Sequence, residues 1–428
     1  MDGFDVVVRV ARLALACSGE GVETMERYVE RAAAAYDLDA EVVVLPEQVV
    51  VTDTVSGTSA ELAVVRALPG VFRLDQLAAL KRCLAGLGPG VDPDEACRQL
   101  DAVAASPPRW RTPVRVAGVA LFAAGFAPSV VASWAEIGAA VALGLVMGVL
   151  VVGGAGRPVE GLVPFLGAFV ATALGVTVMA GLADRTGVTL MVLPALFIVV
   201  PGDTLSAAAA ELLAGRMTAG AVRLIYGFFV LGLIVVGIVA AAGATGHADA
   251  LTETLPPPEL SLPVILVGWA VFSLGLVLAF NAEPGMVAWL VPSVATTYLL
   301  QEGVTRLAGG VVGTLAAGFA LGAFAGLVGA HPRRPPRLLL LLGGFFVLTV
   351  GGLGIRGTTA LLGGDLITGL RNLVDFGLQV PTVALSIAFG VIVADRWERW
   401  RATRRADRHQ GRSHHDHDQH ERTGAVHE

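Results

Sequence analysis

The chain contains 428 residues, of which 54% are hydrophobic and only 15% are charged, and its mean hydropathy is +0.70. One soluble core could not bury this much apolar surface, so the composition predicts a protein integrated in a lipid bilayer. The formal net charge of −6 gives no indication of a nucleic-acid partner.

Residues 1–112 differ from the rest of the chain and predict a small cytosolic N-terminal α/β domain. Their opening lacks the cationic start and long apolar core of a signal peptide. Apolar residues at helical spacing predict an amphipathic helix over 21–37. The runs "EVVVLPEQVVVTDT" and "ELAVVRAL" predict three strands. Helices are predicted in "LDQLAALKRCLAGLG" and "DPDEACRQLDAVA", the second capped by Asp92.

All three cysteines, Cys17, Cys83 and Cys97, lie in this domain without the spacing of metal ligands. We expect free thiols in a reducing compartment, no bound metal and no cofactor. The His- and Arg-rich residues 398–428 predict a disordered, solvated cytosolic tail.

The remainder of the chain predicts a polytopic α-helical membrane protein. Residues 114–397 contain about ten apolar segments, each near the length that a helix needs to cross hydrocarbon. They divide into a first membrane module over 113–245, an external linker over 246–261 and a second membrane module over 262–397, with about five spans in each module.

Arginine clusters at 109–115, 333–337 and 396–405 all fall on one side of a ten-span chain. The positive-inside rule makes that side the cytoplasm, whereas the linker at 246–261 contains no Lys or Arg. We therefore expect both termini to be cytoplasmic.

The stretch "VVPGDTLSAAAAELLAGR" over 199–216 interrupts an apolar run. Pro201 and Gly202 are predicted to end a span there, and Asp203 is predicted to cap a short amphipathic helix at the cytoplasmic mouth. An ordinary interfacial loop helix is the alternative.

A second Gly-broken stretch, "VGGLGIRGTTALLGGDLITGLRNLVDFG", follows the ninth predicted span. Its glycines and its Arg371 echo those of the first break at an offset of about 149 residues, which predicts two inverted halves. Transporters place their substrates at such discontinuous helices and alternate access between the two sides. A chance match in a Gly- and Ala-rich chain is the alternative.

Four stretches resemble the threonine/serine exporter family of bacterial secondary transporters: "RLALACSGEGVETMERYVERAAAAYDL", "EVVVLPEQVVVT", "LDQLAALKR" with "DEACRQLDAV", and "VVPGDTLSAAAAELLAGRMTAGAVRL". The resemblance covers most of 8–245, and 262–397 by layout only. It implies export of small hydrophilic amino acids, threonine and serine, across the bacterial cytoplasmic (inner) membrane, driven by the proton gradient. Split relatives associated with dicarboxylate export make a succinate-like substrate the alternative. The chain departs from the family pattern in two places. It has "GGLGIRG" where the family pattern leads us to expect a Pro-Gly turn at the end of the ninth span, and its N-terminal domain contains no histidine, although members often carry one there.

A zwitterionic substrate needs an anion for its ammonium group and donors for its carboxylate, and broken helices supply both. Polar side chains at breaks and span ends are therefore candidates for the substrate or ion path. They are Asp203, Thr204, Ser206, Asn281, Glu283, Asp365, Arg371, Asn372 and Asp375, beside the helix-breaking Pro201 and Gly202. Structural anchoring is the alternative for each of them.

The sequence contains no GxxxxGK[ST], HExxH or GxSxG motif, so we predict neither catalytic residues nor ATP-driven transport. A membrane enzyme or a sensor that uses the N-terminal domain, and a channel, remain alternatives. Gly318, Gly322 and Gly326 recur every four residues and predict close helix packing. The pattern leaves the oligomeric state open.

Overall fold

The structure is a computed structural model that describes residues 2–17, 21–53, 61–66, 73–131, 133–179, 181, 187–247, 260–331, 333–348 and 366–424. This part of the chain is mostly helical and includes one small sheet.

The N-terminal region combines four helices with a three-stranded antiparallel sheet in the order β1-β2-β3. Its elements are α1 (Gly3–Cys17), α2 (Val22–Ala35), β1 (Ala40–Leu45), β2 (Gln48–Asp53), β3 (Glu61–Arg66), α3 (Leu74–Gly86) and α4 (Pro93–Ala105). The predicted strands and helices are confirmed, and Asp92 caps α4 by accepting the backbone N–H of Asp94 at 3.3 Å. Helix α1 lies where the sequence analysis assigned no element.

The central strand β2 connects the sheet to the core of this region. Val49 and Val51 on β2 are fully buried, and α1 packs against the same strand. Val50 points to the other face and pairs with Val43 on one side and Val64 on the other. The alternation along β2 follows from the two-residue period of a strand.

Eleven further helices follow in the described part of the chain. They are α5 (Thr112–Phe126), α6 (Trp134–Gly154), α7 (Val163–Thr177), α8 (Val188–Leu196), α9 (Gly202–Leu213), α10 (Met217–Thr245), α11 (Leu262–Ala279), α12 (Val287–Ala308), α13 (Gly310–Gly329), α14 (Arg337–Val347) and α15 (Leu366–Gly424).

By length and composition, six helices of the described chain can cross a membrane, or up to seven if α8 and the bent continuation α9 form one span. The predicted count of about ten spans is not confirmed. Helices α5 and α14 have only 15 and 11 residues, because apolar residues in turns extend a hydropathy pattern beyond the helix itself. Helix α12 contains Glu302 and Arg306 and is less apolar. The arrangement is that of a multi-pass membrane protein.

Helix α15 continues through the tail to Gly424, a total of 59 residues. The disordered, solvated state expected of residues 398–428 stays a prediction.

Glycines bring two helix pairs into close contact. A Cβ atom placed on Gly322 of α13 would lie 3.0 Å from Cα of Ile387 on α15, and one on Gly326 would lie 2.5 Å from Cβ of Ala394. The close packing predicted for these glycines is confirmed. In the same way α5 crosses α11, where a Cβ on Gly118 would lie 2.6 Å from the backbone nitrogen of Ala279. Such close approach of backbones is what small residues permit in membrane helices.

Candidate functional site

A broken helix lies at the centre of the candidate site. The segments Val188–Val199 and Gly202–Leu213 meet at an angle of 59°. Pro201 starts the second segment, and Gly202 packs directly on α14, since a Cβ on Gly202 would lie 3.1 Å from Cζ of Phe345 and closer still to Cε1. The predicted break at Pro201 and Gly202 is confirmed.

The predicted cap is wrong. The N-cap position of α9 is occupied by Pro201, which offers no side-chain hydrogen bond, and Asp203 lies in the first turn instead. The physical reason is the start of the helix. Capping by Asp203 would start α9 at Thr204, whereas α9 starts two residues earlier, at Gly202. The Oδ1 atom of Asp203 lies 3.4 Å from the hydroxyl of Thr204.

A cavity of about 210 Å³, here called the break cavity, opens beside this helix. Its walls are the start of α2, one face of α9, the apolar face of α14, and Ala384 and Ile387 of α15. Asp203 and Ser206 both line it. Ser206 is 9% exposed, and its hydroxyl has no hydrogen-bond partner in the described part of the chain.

Glu211 also lines the break cavity, although the sequence analysis missed it. Its Oε1 atom accepts the backbone N–H of Val22 at 3.0 Å and lies 3.2 Å from Nε of Arg223. The signal that could have found Glu211 is its spacing: it is the single acid of an alanine-rich stretch, eight residues after Asp203 and therefore on the same side of α9.

Ion pairs hold the N-terminal region over this cavity. Glu26 of α2 accepts two hydrogen bonds from Arg216, with N–O distances of 2.6 and 2.5 Å. Asp395 of α15 lies 2.7 Å from Arg337 and 3.8 Å from Arg27 of α2. The α2 helix is thus tied both to the loop after α9 and to the end of α15.

A second cavity of about 560 Å³, here called the outer cavity, shares α14 and α15 with the break cavity. Arg371, Asp375 and Gln379 of α15 line it, together with the C-terminal part of α12 and the start of α13. Ser129, at the far end of α5 from the N-terminal region, lines it too.

Helices α14 and α15 each line both cavities. On α14, Phe345 lines the break cavity and Val347 lines the outer cavity. Phe346, between them, packs against Phe122 and Phe272 with ring centroids 4.9 and 5.8 Å apart. Buried aromatic rings therefore pack against α14 at this point.

The remaining predicted site residues lie elsewhere. Asn281 is fully buried with φ of 57°, and its Oδ1 accepts the backbone N–H of Trp110 at 3.3 Å. Glu283 pairs with Arg82 of α3 at 2.9 Å. Both residues connect α11 to the N-terminal region, which favours anchoring over a place in the substrate path.

Thr204 and Asn372 line neither cavity, and Asp365 lies outside the described residues. The structure thus brings Asp203 together with Ser206, and Arg371 together with Asp375, at two separate places.

The described residues include no group of three or more His, Cys, Asp or Glu side chains that could hold a metal ion. Cys17 and Cys97 are buried, and Cys83 is half-buried. Burial raises the pKa of the Cys83 and Cys97 thiols, which makes them poor nucleophiles.

The model of the threonine/serine exporter family, ThrE, matches residues 5–244, which is more than half of the chain. The matched part includes α2, the broken helix and Glu211, and it ends before α11. No curated protein and no solved structure matches the chain.

Proposed function

We propose that this chain, which belongs to the threonine/serine exporter family, is a secondary active transporter that exports threonine and serine across the bacterial cytoplasmic membrane, driven by the proton gradient. Family membership and several apolar helices make it a multi-pass membrane protein of an amino-acid exporter family. The particular substrates, the coupling to protons and the two inverted modules belong to the proposal.

The break cavity is the observation that supports this proposal most. A broken helix places a carboxylate, Asp203, and a hydroxyl, Ser206, in one small cavity among apolar side chains. The carboxylate suits a substrate ammonium group. The first turn of α9 presents backbone N–H groups and the positive end of the helix dipole, which suit a substrate carboxylate.

The position of the two cavities supports transport. The start of α2 lines the break cavity, whereas Val347 at the end of α14 and Ser129 just after α5 line the outer cavity. Alternating access requires a substrate path that opens to each side of the membrane in turn, and we propose that the two cavities are parts of such a path. We propose that Arg371 and Asp375 line the outer end of the path.

The dicarboxylate, enzyme, sensor and channel alternatives gain no support from the family match. Asp203 and Glu211 place carboxylates in the break cavity, where they would repel a dianion such as succinate.

The test is efflux from vesicles loaded with labelled threonine, serine or succinate, with and without a proton uncoupler. We expect efflux of threonine and serine, loss of that efflux with the uncoupler, and no efflux of succinate. Transport that needs ATP and ignores the uncoupler would contradict a secondary transporter.

A pair of matched variants tests the cavity itself. The hydroxyls of Ser206 and Ser293 are both buried and without a hydrogen-bond partner in the described residues, but only Ser206 lines the cavity. We expect Ser206→Ala to lower export about tenfold and Ser293→Ala to leave it unchanged. Equal export by the two variants would place the substrate path elsewhere.

The proposed orientation has a separate test. With both termini cytoplasmic, a reporter fused after Arg401 reads as cytoplasmic and one inserted near Thr254 reads as external. An external reading after Arg401 would reverse the orientation.

A further inference from the structure

Glu211 is a buried carboxylate with one bare oxygen. It is 5% exposed, its Oε1 atom faces both Val22 N–H and Arg223, and its Oε2 atom has no hydrogen-bond partner within the described residues. An unsatisfied carboxylate oxygen costs free energy in a buried place unless a donor reaches it. Glu211 lines the break cavity, so a ligand in that cavity can supply the donor.

The cations around the cavity are already paired with acids that lie outside it. Arg216 pairs with Glu26, and Arg337 pairs with Asp395, and neither acid lines the cavity. The acids that do line the cavity are Glu23, Asp203 and Glu211. Glu211 is itself paired with Arg223, so Glu23 and Asp203 are the lining acids without an ion pair among the described residues, and their charge favours a cationic group in the cavity.

The N-terminal region holds Glu211 in place. Val22 is the first residue of α2, and its N–H group is one of those that a helix leaves without an internal partner. A carboxylate at this position also interacts favourably with the helix dipole. One oxygen of Glu211 is fixed by α2 and Arg223, and the other oxygen has no hydrogen-bond partner in the described residues.

We propose that the free Oε2 atom of Glu211 binds the ammonium group of the substrate, and that the N-terminus of α2 positions this carboxylate. The inference rests on the proposed function, because it takes the substrate to be an amino acid. It makes the binding site a shared one, built from the N-terminal region as well as from the membrane helices. It also means that a substrate without an amino group binds poorly.

The test compares two ligands that differ only in the amino group. Threonine and 3-hydroxybutyrate, which is threonine without its amino group, compete for labelled threonine on the purified full-length protein. We expect the wild type to prefer threonine. In Glu211→Gln the side-chain oxygen can still accept the Val22 N–H, but the charge is lost. We expect threonine affinity to fall about tenfold while 3-hydroxybutyrate affinity stays unchanged.

Two further variants separate binding from folding. Glu211→Gln leaves Arg223 buried beside a neutral partner, so the double variant Glu211→Gln with Arg223→Met removes both charges and is expected to fold and to lose the preference for threonine. Val22→Pro removes the N–H at a position where proline is tolerated, and we expect about threefold weaker threonine binding. Glu160→Gln is the matched control and keeps wild-type binding, because Glu160 lies in the turn before α7 and lines neither cavity.

An unchanged preference for threonine in folded Glu211→Gln or in the double variant overturns the role of Glu211, and so does an equal loss for both ligands. If the wild type binds neither threonine nor serine, the proposed function itself fails. If the wild type binds threonine and the Glu211 variants still prefer threonine to 3-hydroxybutyrate, only this inference is rejected.

Discussion

Gly322 tests whether the close contact of α13 with α15 is required for stability. A Cβ atom at this position would lie 2.9 Å from the carbonyl carbon and 3.0 Å from Cα of Ile387, and closer still to the carbonyl oxygen. Ordinary contacts between carbon atoms are about 3.5–4.0 Å, so the helices must separate by about 0.5–1 Å to admit a methyl group. Overpacking of this kind costs about 1–3 kcal/mol.

The matched control is Gly232 of α10, which is exposed and has no atom within 4 Å of an added Cβ. Both Gly322→Ala and Gly232→Ala gain about 1 kcal/mol of helix propensity. The difference in unfolding free energy between the two variants therefore isolates the overpacking cost, and we expect Gly322→Ala to be less stable by about 1–3 kcal/mol. Unfolding of the purified full-length proteins in detergent measures it. Equal stability of the two variants would refute the close contact.

Two further predictions concern the N-terminal region. Burial raises the pKa of the Cys83 thiol, so its thiolate is scarce at neutral pH. Maleimide labelling of Cys83, followed by mass spectrometry, should therefore accelerate only at a higher pH than labelling of a free thiol. Labelling with the same pH dependence as a free thiol would contradict this. A double-mutant cycle of Glu26→Gln and Arg216→Met should show a coupling of about 1 kcal/mol in thermal unfolding, since the pair is bidentate and partly buried, whereas additive effects would mean that the pair contributes nothing.

Local patterns predicted the local structure. The strands follow from β-branched runs on both sides of a two-residue turn, and β1 pairs with β2 in the register that this turn sets. The break at Pro201 was predictable because proline lacks an N–H group and cannot continue a helix that precedes it. Both features depend on residues close together in the chain.

The partners of the site residues could not be predicted in this way. Val22 and Glu211 are separated by 189 residues, and no periodicity within either helix indicates that they meet. The roles of Asn281 and Glu283 were also beyond local patterns, because a polar residue at a span end looks the same whether it faces a cavity or the N-terminal region. The count of about ten spans is not confirmed for a different reason, since apolar turns are indistinguishable from helix ends in a hydropathy pattern.

Substitutions of Asp203 distinguish a role of this residue in transport from a role in helix stability. Because Pro201 occupies the N-cap, the charge of Asp203 in the first turn contributes about 0.3–1 kcal/mol to α9, which Asn and Ala lose equally. We therefore expect Asp203→Asn and Asp203→Ala to reach near-normal abundance in the membrane and to export threonine about tenfold more slowly, equivalent to about 1.4 kcal/mol on the limiting step.

Efflux normalised to membrane abundance measures this, with Glu160→Gln as the control, because Glu160 lies in the turn before α7 and lines neither cavity. Wild-type export by Asp203→Asn would remove the Asp203 charge from the substrate path. A loss of abundance in Asp203→Ala alone would mean that the side chain of Asp203 stabilises the start of α9 through a hydrogen bond that Asn preserves, so that the break would be a structural junction only.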